Sequence, residues 1–117
     1  MSEALKIYFG DGDHAFVLTP ELVVELERQA GVGIGLLSKR FFSGDFAYSE
    51  VIEIIRLSLI GGGMDPKEAA AMIKAYTPAM PVSKLYALAL SPVQSLMFGE
   101  ADLQDLAKTT PRRRKSK

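Results

Sequence analysis

The spacing of apolar positions changes along this chain, and the change predicts its elements. "ALKIYF" (4–9) and "HAFVLT" (14–19) come first, two short runs rich in β-branched and aromatic residues that flank "GDGD". With Asp11-Gly12 as the turn signal, they predict a hairpin. Thr19-Pro20 then reads as an N-cap followed by the first helical residue. Glu21 sits in the first turn and Leu22, Val23, Leu26 and Ala30 form an apolar stripe that Gly31 ends. Ile34, Leu37 and Phe41, spaced by three and four, predict a short second helix stopped at Gly44.

From about Ala47 to Ile60 the pattern is apolar over most of a helical circumference. Only a strip of Ser49, Glu53 and Arg56 is polar, which predicts the central, most buried helix. Asp65-Pro66-Lys67-Glu68 has a capping-box form, with Glu68 reaching back to the cap amide, and opens a helix carrying Ala69, Met72, Ile73 and Tyr76. Thr77-Pro78 and Pro81 stop it. A further helix carries Val82, Leu85 and Ala89. Ser91-Pro92-Val93-Gln94 repeats the capping logic and predicts a separate last helix with Leu96 and Met97, ending at Gly99. The expected fold is α+β, mostly α: an N-terminal β-hairpin followed by five or six short helices. It forms one domain over residues 1–100 with a C-terminal extension over 101–117.

Three consecutive glycines, Gly61 to Gly63, raise the question of a phosphate cradle. A P-loop needs a strand before it, a Lys followed by Ser or Thr at its end, and a helix whose first amides face the anion. Here a helix precedes and no such Lys follows. Gly61 reads instead as the left-handed residue closing the central helix, with Gly62 and Gly63 allowing a tight reversal into Asp65. Close approach by a neighbouring helix is a further reason for three glycines in a row.

Candidate chemistry is sparse. His14 is the single histidine and reads as a solvated hairpin residue; with no cysteine, a thiol-imidazole pair is impossible. Asp11 and Asp13 lack the remaining oxygen ligands of a calcium loop. Glu21, Glu25, Glu27 and Glu53 read as solvated helix faces. No catalytic residue, cofactor or metal ligand is expected.

Absence of cysteine fits a reducing compartment, with cytoplasm as the default. No apolar run approaches the ~20 residues that span a bilayer, and the N-terminus lacks a signal-peptide pattern, so a soluble, unexported chain is expected. A chain of 117 residues buries about 65% of its unfolded surface, enough for one core. Formal net charge is zero, but Arg112, Arg113, Arg114, Lys115 and Lys117 crowd the C-terminus. With those five set aside, 9 basic side chains face 14 acidic ones, leaving an acidic body of about −5. Having no apolar residue to bury, the tail reads as disordered. It is a contact for nucleic acid or an acidic partner, or a solubilising end. The acidic body argues against a dedicated nucleic-acid binder.

Five methionines and ten aromatics, including Phe41, Phe42, Met64, Met80, Met97 and Phe98, are generous for a domain this small. Most belong to the core, and a subset near helix ends suits a groove or self-association patch.

Taken together, "FGDGDHAFVLTPELVVELE", "GVGIGLLSKRFFSGDF", "EVIEIIRLSLIGGGMDPKEAAAMIKAY" and "ALALSPVQSLMFGE" resemble the small tail protein of gene transfer agents and related prophages. That family is grouped with phage tail assembly chaperones, and its likeness covers roughly residues 4–99. The resemblance implies a non-enzymatic role: attending the tape-measure protein, a long and mostly helical chain, and delivering tail tube subunits to it. Family names also include "tail tube protein", which implies a structural subunit. Tube subunits need extended β-structure to close a ring, whereas about a dozen residues here read as strand. No catalytic or cofactor residue transfers. For partner binding the nominated residues are Phe41 and Phe42 with Arg56, Gly61, Gly62, Gly63 and Met64. The same residues also have a structural reading, Arg56 pairing with Glu53 at helical spacing.

Overall fold

A computed structural model describes residues 5–99 in full and continues the backbone of the last helix to Ser116. The chain is an antiparallel hairpin followed by five helices, as expected: β1 (Leu5–Phe9), β2 (Gly12–Phe16), α1 (Pro20–Ala30), α2 (Ile34–Phe42), α3 (Tyr48–Gly61), α4 (Pro66–Tyr76) and α5 (Val82–Ser116).

The hairpin closes one residue earlier than the sequence signal placed it. Phe9 pairs with Gly12, so the loop is Gly10-Asp11, and Gly10 carries the positive φ of 68°. A two-residue loop with positive φ at its first position matches the strand twist, and glycine adopts it without penalty. Leu5, Ile7 and Phe9 share a face with His14 and Phe16, and the Phe9 and Phe16 rings meet edge to face at 6.3 Å. β2 ends at Phe16 and does not continue to Thr19. Beyond it the Val17 N–H donates to the Ser58 carbonyl of α3 at 3.0 Å, a helix partner that strand propensity does not encode.

The helix ends follow local chemistry. Thr19 Oγ1 accepts from the Leu22 N–H, and Gly31, at φ 78°, closes α1. At the start of α2, Gly33 has no side chain to cap with, and Glu27 of α1 supplies the missing acceptor, its carboxylate taking the Ile34 N–H at 2.8 Å. Glu27 is therefore a cap rather than a solvated face. Asp65 accepts from the Lys67 N–H at 3.0 Å, but Glu68 makes no return bond, so half of the anticipated box forms.

α3 is the central element, packed against β2, α1, α4 and α5. Val51, Ile54, Ile55, Leu57, Ser58 and Leu59 are buried, and they meet Phe9, Phe16, Leu26, Leu37, Phe41, Ala69, Leu85, Ala89 and Val93 in one core.

The expected break at Ser91-Pro92 does not occur. α5 runs unbroken through Pro92 and is interrupted at Gly99, where φ is 75° and ψ is 159°. Proline there removes one main-chain bond. Leu85, Ala89 and Val93, at intervals of four, form one fully buried stripe spanning the proline, and that burial holds the helix together. The Ser91 hydroxyl, read as a cap, donates to the Ala87 carbonyl at 3.3 Å within the same helix.

Candidate functional site

The triple-glycine corner resolves into three separate requirements. Gly61 is the last residue of α3 and Gly62, at φ −78°, is still right-handed; the positive φ of 115° falls on Gly63, two residues later than expected. The Gly63 N–H donates to Ile60 at 2.9 Å and the Met64 N–H to Leu59 at 3.0 Å, the paired bonds of a Schellman closure. Gly62 donates to Ser58 at 2.9 Å. These amides are committed inside the corner, so they form no anion cradle. Gly61 and Gly62 are glycine because a strand, not a helix, crosses them. A methyl on Gly61 would stand 1.8 Å from the Val17 carbonyl oxygen, and one on Gly62 would stand 2.0 Å from that of Ala15. Met64 is half-buried beside Ala15 and Leu59.

The nominated aromatic pair is split by its helix. Phe41 is fully buried, its ring 5.8 Å from those of Phe46 and Tyr86, and the Tyr86 hydroxyl donates to its carbonyl. It is a core residue, out of a partner's reach. Phe42, one residue on, is 40% exposed and stacks on Phe98 at 5.8 Å with 22° between the rings. Phe98 and Met97 are themselves exposed, so the end of α2 and α5 near Gly99 present an apolar patch. The sequence drew attention to Phe98 and Met97 as apolar surplus; their meeting with Phe42 depends on how α5 packs.

Arg56 is paired within α3. Its guanidinium donates to Glu53, which also raises its pKa from the ordinary arginine value. Glu25 accepts from Arg28 and Gln29. Arg40 joins α2 to α3 through Glu50 at 2.7 Å. His14 is half-buried rather than solvated and lies 2.8 Å from the Asp11 carboxylate. Of these pairs only Arg40–Glu50 joins two helices; the others are local to α1, α3 or the hairpin. Among the described residues no cluster of three His, Asp or Glu side chains is placed to hold a metal. No described helix is long and apolar enough to cross a membrane. The side chains of Arg112, Arg113, Arg114 and Lys115, and all of Lys117, lie outside the described residues, while the backbone through Ser116, read from the sequence as a disordered tail, is assigned to α5.

An open apolar groove of about 690 Å³ lies between β1 and α5, bordered by Ile7, Tyr8, Met80, Lys84 and Leu88. No single stretch of sequence marks it, because its two walls are about 70 positions apart.

A sequence-family model described as "Phage tail tube protein, GTA-gp10" matches residues 2–99. No curated protein matches the chain. No solved structure does either.

Proposed function

Because this chain belongs to the gene transfer agent family of phage tail tube proteins, we propose that it is a non-enzymatic tail-assembly chaperone. In this reading it holds an apolar helix of the tape-measure protein and brings tail tube subunits to it, in the bacterial cytoplasm while the tail is built. The observation that carries the reading is the exposed patch of Phe42, Met97 and Phe98 at the junction of two helices. Such a surface accepts the apolar face of an amphipathic helix, with methionine adapting to its contour. The acidic body supports the same role, because its charge keeps an apolar complex dissolved.

A structural tube subunit is the second reading. The family description favours it, as does the unpaired outer edge of β1, onto which another strand can add. Against it stands the modest strand content: the two described strands have five residues each, and a ring closed through hydrogen-bonded sheet draws on longer ones.

Co-expression with the tape-measure protein of the same tail separates the readings. The chaperone reading expects the tape-measure chain to stay in solution and to comigrate with this protein on a sizing column. Precipitation of the tape-measure chain as if alone, with this protein found in mature tails, would reject it in favour of the tube subunit.

A further inference from the structure

The structure assigns a second partner surface: we propose that the outer edge of β1 takes an extended, acid-bearing segment of another tail protein as a third strand. In the antiparallel register Leu5, Ile7 and Phe9 pair with Phe16, His14 and Gly12 around a two-residue loop. Those residues turn their main-chain groups inward, so Lys6 and Tyr8 direct their N–H and C=O groups away from β2. The same alternation sends the groups of Ala15 and Val17 outward on the other side, where the edge is closed. Ser58 accepts from the Val17 N–H, and Gly61 and Gly62 lie against the carbonyl oxygens of Val17 and Ala15. Nothing comparable covers β1: among the described residues no group bonds to the Lys6 or Tyr8 main chain.

The chemistry of the uncovered edge specifies its occupant. Five residues offer about 16 Å of strand. An extended segment complements main-chain donors and acceptors, whereas a helix satisfies its own. The groove alongside gives alternate side chains of that segment an apolar wall at Met80 and Leu88. Lys84 stands in the same wall and Lys6 on the strand, neither with an ion-pair partner among the described residues, so a carboxylate on the incoming segment is complementary. Charge also argues against a second copy of this chain. Pairing β1 with β1 brings Lys6 and Lys84 of both copies along one seam, and lysine on an edge opposes self-pairing. The inference rests on the proposed function only for the source of the segment, a tail protein.

The test titrates the full-length, isotope-labelled chain with overlapping synthetic peptides covering the tape-measure and tube proteins of the same tail. At least one acid-bearing peptide is expected to bind and to protect the Lys6 and Tyr8 amides from exchange. Tyr8→Pro removes an outward N–H, a position where an edge strand tolerates proline, and is expected to weaken that binding about tenfold or more. Lys84→Glu, on the exposed side of α5, is expected to do the same and carries the test if Tyr8→Pro does not fold. Absence of any binding peptide, or affinity unchanged in the folded variants, overturns the inference. So does self-association that Tyr8→Pro abolishes. If Tyr8→Pro and Lys84→Glu keep full tape-measure and tube binding while Phe42→Asp loses it, this inference fails and the proposed function stands.

Discussion

A methyl group is the unit of discrimination at the corner of α3. Adding one at Gly61 forces the β2–α3 contact apart, since no real Cβ sits 1.8 Å from a carbonyl oxygen. We expect Gly61→Ala to cost about 2–3 kcal/mol in denaturant unfolding. Gly35 in α2 has open space around its Cβ position, so Gly35→Ala is expected to gain up to about 1 kcal/mol in the same measurement. The contrast separates a packing requirement from a composition preference. At Glu25, hydrogen bonds from Arg28 and Gln29 hold the carboxyl at about 2, below its ordinary 4.5. A lowered carboxylate stabilises the fold above the unfolded value, and its contribution is lost as pH falls through about 2. Glu25→Gln should therefore flatten the acid limb of the stability profile between about pH 4.5 and 2. The difference should shrink in high salt, because the Arg28 partner is exposed.

Among the elements, α3 organises the molecule by touching β2, α1, α4 and α5. Its consequence is cooperativity: a cavity there is felt by every layer. Ile55→Ala, at a fully buried position, is expected to cost about 2–5 kcal/mol and to lower the thermal midpoint of one shared transition. Calorimetry and near-ultraviolet dichroism should then report the same midpoint. The α5 element shows the opposite balance, since a proline that ends helices in isolation lies within one here. Its buried stripe of Leu85, Ala89 and Val93 continues on both sides of Pro92, and the Ser91 hydroxyl bonds backward instead of capping forward.

For the molecule as a whole, two surfaces lie on different sets of elements. The Phe42–Phe98 patch joins α2 to α5 near Gly99, and the groove joins β1 to the first turns of α5. Helix docking at the patch predicts that Phe42→Asp, made with Phe98→Asp, leaves the chain folded at a cost of about 1–2 kcal/mol, the loss of the stacked pair. The same pair is expected to abolish comigration with the tape-measure protein; retained comigration by the folded variant would move that partner elsewhere.

Local signals were enough for much of this architecture. Thr19-Pro20, Gly31 and Asp65-Pro66 set helix ends because caps act through main-chain groups only a few residues away. The apolar circumference of residues 47–60 marked the central helix because burial on all sides leaves little room for polar side chains. Tertiary structure decided everything that depended on a distant neighbour. Glycine at 61 and 62 answers to the carbonyls of Val17 and Ala15, and Glu27 caps a helix other than its own. Phe41 and Phe42, adjacent and chemically identical, part into core and surface according to which side of α2 meets the rest of the chain. Sequence determined the elements, since their hydrogen bonds are local, while the surfaces arose from packing, which joins residues that no local pattern connects.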